Sequence, residues 1–180
     1  MHLTLAGYFP KITTIPPGCP LPAPVVEVCS VSNCLNREPD RWVQRWLHNE
    51  LSLFNNSDDA RAVAGADERF EIFAYRVLDA YFEDGYRREW APGPLAVAAL
   101  PEGYRSIGFD AVSRSAGSAF ECSPLSCNMM AGEIPVNRYC LVDSLEAAIA
   151  LAVRFSQGRV EPGPYYVVEV LRAVTAEIIG

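Results

Sequence analysis

The chain has little histidine and little lysine: His2, His48 and Lys11 are the whole supply in 180 residues. A histidine-rich metal centre is therefore excluded, and a histidine-relayed mechanism has one credible member, His48. A phosphate-tracking basic stripe is also missing. The 15 basic residues are outnumbered by 22 acidic ones, for a formal charge of -7, and the arginines stand singly except for Arg87 and Arg88. Such a field repels nucleic acid and anionic membrane surfaces, so neither is an expected partner. There is no G-x-G-x-x-G, no G-x-x-x-x-G-K-[ST] and no G-x-S-x-G. Dinucleotide, P-loop and hydrolase-elbow chemistries thus lack the backbone they require.

Long hydrophobic runs are absent as well. The longest uncharged stretch, Ile12 to Val26, carries Pro16, Pro17, Pro20, Pro22 and Pro24, which no membrane-spanning helix would tolerate. Met1 to Pro10 has no basic residue and is broken by Gly7 and Pro10, unlike a secretory leader. The expectation is a mature chain starting at Met1 in the cytoplasm, where thiols stay reduced.

What is present is the balance of one globular domain: half the residues are hydrophobic, 21% charged and 11% aromatic. Residues 1–180 read as a single α+β domain with a mixed or antiparallel sheet and few helices. His2 to Tyr8 reads as a strand, 10–24 as a proline-rich arm, and the β-branched Val25 to Val31 as another strand. After Pro39, the residues Trp42, Val43, Trp46 and Leu47 share a helical face and read as core packing. Asn56 or Ser57 caps a brief helix carrying Asp58 and Asp59 in its first turn, with Gly65 closing it. Phe70 to Leu78 reads as a strand, and Asp79 to Glu102, punctuated by proline and glycine, as a long connection and internal boundary. Phe109 to Ser113 reads as a strand. Asp143 and Glu146 have capping-box spacing for a helix over Leu145 to Gln157, before a final strand at Tyr165 to Val170.

The six cysteines include two pairs of identical spacing and beginning: Cys29-Ser30 to Cys34, and Cys122-Ser123 to Cys127. Asn49 to Phe54 answers Asn137 to Val142 at an offset of 88, and Ser57 to Ala60 answers Ser144 to Ala147 at 87. These matches suggest two pseudo-symmetric repeat units, 25–78 and 112–172. Pseudo-symmetry would bring the two Cys-Ser turns together. Cys29, Cys34, Cys122 and Cys127 would then form a four-thiolate zinc site, although C-x4-C is the loose end of the zinc range and buried structural thiols are the stronger expectation.

The alternative chemistry at the same turns is a cysteine-dependent enzyme, with Cys122 or Cys127 as nucleophile and His48, Arg114 or Glu121 as helpers. No catalytic constellation is visible in the residues themselves. The leading expectation is a non-catalytic binding or accessory protein with a protein or small-molecule partner.

Overall fold

The computed structural model describes residues 1–32, 34–35, 48–93, 95–115, 118–158 and 160–174. The helix expected around Trp42, Val43, Trp46 and Leu47 lies outside the described residues. Five strands form one antiparallel sheet: β1 (Leu3–Lys11), β2 (Glu71–Glu83), β3 (Tyr86–Glu89), β4 (Tyr104–Ser113) and β5 (Tyr165–Ala173). Their order is β1-β2-β5-β4, with β3 paired to the far end of β2. Helix α1 (Ser57–Ala64) packs on β1 and β2, a single turn α2 (Pro124–Cys127) packs on β4, and α3 (Leu145–Gly158) packs on β5, β4 and β2. No described helix is long and apolar enough to cross a membrane. The architecture is α+β, as composition and pattern lead one to expect.

Local chemistry accounts for most element ends. The side chain of Asn56 accepts from the Asp59 amide (2.8 Å), Asp58 and Asp59 lie in the positive first turn of α1, and Gly65 takes the left-handed closing position (φ 68°). In α3 the cap is Ser144, whose hydroxyl accepts from the Ala147 amide at 3.1 Å. Asp143, expected in that role, accepts instead from the Asn137 side chain at 3.0 Å. The stretch expected to be a long connection after Leu78 begins as a hairpin: Asp84 and Gly85 both have positive φ (51° and 81°), as a two-residue primed turn requires. Val25 to Val31 is no strand. The Val26 and Glu27 amides both go to the Arg138 carbonyl, that of Val28 to Thr13 and that of Cys29 to Tyr139. With its donors divided among separate segments, this stretch makes no continuous ladder.

Alternation along the strands divides the core between two faces. Leu78, Ala80, Phe82, Ala111, Tyr165 and Val167 meet Ala148, Leu151, Ala152 and Phe155 of α3. The opposite face carries Phe73, Tyr75, Val77, Val168 and Val170, which join Cys29, Val31 and Phe120 in the other cluster. In the paired register Asp110, Val168 and Val77 lie side by side across β4, β5 and β2. A carboxyl is thus placed in the middle of an otherwise apolar surface.

The two asparagines singled out by the offset of 88 make the same bonds. Asn137 Oδ1 accepts from the Tyr139 and Leu141 amides (2.9 and 3.3 Å), and its Nδ2 donates to the Ile107 carbonyl (2.9 Å) and to Asp143. Asn49 Oδ1 accepts from Leu51 and Leu53 (2.9 and 3.3 Å), and its Nδ2 donates to the Ala6 carbonyl (2.8 Å) and to Asn55. Each turn leans on a bulged strand at a glycine, Gly7 (φ 144°) or Gly108 (φ 140°), where a Cβ would sit 2.7–2.8 Å from Leu53 Cβ or Leu141 Cβ. The offset of 88 also aligns the two helix caps, Asn56 with Ser144, in place of the 87 expected from the sequence.

Asn137→Ala removes both acceptor bonds and both donor bonds at once. It is expected to lower unfolding stability by about 2–4 kcal/mol with an unchanged denaturant slope. Urea unfolding followed by circular dichroism checks this, and a loss indistinguishable from zero would contradict it.

Candidate metal centre

Three of the four expected thiols come together. The Sγ atoms of Cys34, Cys122 and Cys127 all lie within 4.8 Å of one another. Cys122 is fixed by a bridge to β4: the Ser113 amide donates to the Cys122 carbonyl (2.8 Å), and the Ser113 hydroxyl accepts from the Cys122 amide (3.3 Å). Pro124 then opens the single turn α2, and the Cys127 amide donates back to the Ser123 carbonyl at 2.8 Å. That turn returns Cys127 to the side of Cys122.

Cys34 reaches the same place from the other half of the chain. Its segment is tied down by the Cys29 amide on Tyr139 and by Lys11, the only lysine, whose buried Nζ donates to the Ser32 carbonyl at 2.6 Å. The Cys34 thiol donates to the Glu121 carbonyl (3.1 Å) and that of Cys122 to Asn128 Oδ1 (3.4 Å). The Ser126 and Ser32 hydroxyls lie 3.9 and 4.0 Å from the Cys127 sulfur. The cluster grades from the buried Cys122 to the exposed Cys34.

Cys29, expected as the fourth ligand, is not part of this cluster. It is fully buried, and burial, reinforced by Glu27, pushes its thiol far above the ordinary range. Equal spacing in sequence did not carry equal direction in space, because the Cys29 backbone is held by Tyr139 rather than by a turn like that at Cys122. Cys140 is buried in the Asn137 turn at φ 60°, and burial raises its thiol to about 12. Cys19 is half-buried in the proline-rich arm.

The expected helpers have contacts of their own. His48 packs edge-on against Phe54 (ring centroids 4.5 Å apart) and near Phe9 (6.2 Å). Arg114 donates to the Ser118 and Glu50 carbonyls (both 2.8 Å) and lies over the Phe120 and Tyr166 rings. Glu121 receives the Ser115 hydroxyl on its carboxylate (3.2 Å), and its backbone carbonyl accepts from the Cys34 thiol.

The thiols share their protons unequally. The neighbouring Cys122 and Cys34 thiols outweigh burial and lower Cys127 to about 6. The neighbouring Cys127 and burial hold the Cys122 proton well above the ordinary thiol range, and burial with Cys127 raises Cys34 to about 11. Of the three protons, that of Cys127 is the most readily lost. Chemically the set suits a thiophilic cation: tetrahedral geometry with zinc–sulfur bonds of about 2.3 Å needs sulfurs roughly 3.8 Å apart, inside the 4.8 Å within which all three lie.

Asp110 lies behind the cluster, fully buried, its Oδ1 accepting from the Ser123 hydroxyl (3.0 Å) and the Ala111 amide (2.8 Å). Burial raises its carboxyl to about 7, against the pull of the Ser30 and Ser123 hydroxyls. Sequence alone offered no sign of it. An aspartate in a strand reads as solvent-facing until the segment 120–127 is known to cover it.

Comparison of the chain with known protein families, curated proteins and solved structures gives no match.

The raised Asp110 carboxyl makes stability depend on pH. The unfolded chain releases this proton near 3.8 and the folded protein near 7, so the contribution is full below the first value and is lost as pH rises to the second. Wild-type metal-free protein is expected to lose on the order of 1 kcal/mol per pH unit in that window, relative to Asp110→Asn. Denaturation curves of both proteins between these limits measure it; parallel pH profiles would contradict it.

Proposed function

We propose that this chain is a non-catalytic metal-binding protein of the reducing cytoplasm, in which Cys34, Cys122 and Cys127 hold a zinc-class thiophilic ion. The observation behind it is the convergence of three sulfurs within 4.8 Å from two distant segments. All six cysteines are free thiols, so the donors are available. Bound metal would clamp the segment leading to Cys34 onto the turn at 122–127, and its affinity would stabilise the fold directly. Three protein sulfurs leave the fourth position for water or a ligand from a protein or small-molecule partner. The acidic charge disfavours nucleic acid as that partner.

We also read the chain as two related β–turn–α–β units, β1 to β2 and β4 to β5. The matching bonds of Asn49 and Asn137 support this, together with the bulged glycines beside them. On this reading the units include β1 and β4, which the intervals 25–78 and 112–172 leave out or cut. The cysteine pairs are then not equivalent between units, since only Cys34 of the first pair joins the second.

A second reading, thiol-dependent catalysis at Cys127, is favoured by the lowered pKa of that group alone. Elemental analysis of the purified protein, with thiol titration before and after unfolding, separates the two. About one zinc per chain is expected, with three thiols unreactive until the metal is removed. Cys34→Ser, Cys122→Ser and Cys127→Ser should each lose the metal, whereas Cys29→Ala should keep it. Metal-free protein with one anomalously fast thiol would overturn the proposal in favour of catalysis.

A further inference from the structure

A cavity of about 530 Å³ opens at the end of the sheet where β2 and β5 run together. Its lining includes Glu27, Glu71, Arg105, Arg138, Tyr139 and Arg172. The volume is within the range of small-molecule sites. Arg172 forms the interior: its Nε and NH2 donate to Glu71 (2.7 and 2.6 Å), and its NH1 and NH2 donate to Glu27 (2.9 and 3.1 Å). Two carboxylates thus share one guanidinium, and Arg138 adds a further positive charge near Glu27. Arg172 also lies over the rings of Phe73 and Tyr139, which keep its plane in place.

Arg105 and Arg138 are different. Among the described residues neither forms an ion pair, and both side chains are exposed at the cavity. Arg105 stands on β4 directly across from Arg172 and gives one bond to its neighbouring carbonyl, Tyr104 (3.0 Å). Arg138 lies 5.5 Å from the Tyr139 ring, and its carbonyl is held by the Val26 and Glu27 amides. Two guanidiniums with donors to spare, mounted on anchored backbone beside the Glu27–Arg172–Glu71 network, are unusual in a chain of charge -7.

We propose that this cavity is a binding site for a small oxyanionic ligand, a phosphate ester or a carboxylate, gripped between Arg105 and Arg138. The planar donor forks fit both kinds of oxyanion, and the Glu27–Arg172–Glu71 network fixes the wall behind them. The site is independent of the thiol cluster and does not rest on metal binding.

The test is a titration of the intact protein with inorganic phosphate and, separately, succinate, against chloride at constant ionic strength, followed by ¹⁵N–¹H NMR. Saturable shifts are expected at the Arg105, Ile107, Arg138 and Tyr139 amides and at the arginine Nε–H signals. The double variant Arg105→Gln/Arg138→Gln, whose changes are on exposed side chains, should keep the wild-type spectrum elsewhere and weaken binding by about tenfold or more. Saturation by phosphate alone assigns a phosphate ester, by succinate alone a carboxylate, and by both the shared oxyanion chemistry. No saturable shift with either probe, or equal affinity in the double variant, would overturn the proposal.

Discussion

The structure depends on the pairing of β2 with β5, the two central strands through which the halves of the chain meet. Tyr75 faces Val170 and Val77 faces Val168 on one surface, while the next pair, Arg76 and Glu169, stands directly opposed with a 3.1 Å ion pair. A slip of one residue would bring charge into the core and apolar side chains out of it. The carboxylate of Glu169 is nearly buried, with a side-chain exposure of 9%, so that register is held by an ion pair that has lost most of its water. Removing one partner would leave the other charge poorly compensated, which is why the pair specifies register more than it adds stability. Every other strand, and both longer helices, is placed by reference to this pair.

On one face of that sheet the coverage is shared between α1 and irregular chain, and there the chemistry collects. Lys11, reaching from the end of β1 to the Ser32 carbonyl, sets where the segment leading to Cys34 passes. The Ser113–Cys122 bridge does the same for the other two thiols from the end of β4. The thiol cluster is thus assembled from the two outer strands of the sheet, not from one local motif. Asp110 beneath it is tolerated because Ser123 and the Ala111 amide solvate one oxygen and because its proton remains bound to about pH 7.

The legible parts of this fold were those with local causes. Helix α1 was marked by Asn56, Asp58, Asp59 and Gly65, and α3 by its apolar period, all of which act within a turn or two of the residues they organise. The hairpin was missed although Asp84-Gly85 is a turn signal, because the charged Tyr86–Glu89 does not look like a strand; β3 is exposed along its whole length and needs no apolar face. Val25 to Val31 misled in the opposite sense, since Val25, Val28 and Val31 are buried without a ladder. Of the site, the spacing of Cys122 and Cys127 pointed to a shared location, and α2 explains why it works. That Cys34 would join them and Cys29 would not was set by Tyr139 and Lys11, contacts from remote parts of the chain that no spacing rule contains. The cavity at Arg105 and Arg138 was likewise invisible, its walls coming from five separated segments.

The most direct test of the metal centre is X-ray absorption at the zinc edge on the loaded protein. Three sulfur scatterers at about 2.3 Å, completed by one oxygen or nitrogen at about 2.0–2.2 Å, is the first shell predicted for Cys34, Cys122 and Cys127. A shell of oxygen and nitrogen alone would place the metal elsewhere on the protein, and a shell of four sulfurs would mean that Cys29 or another thiol moves into the cluster, contradicting the arrangement described.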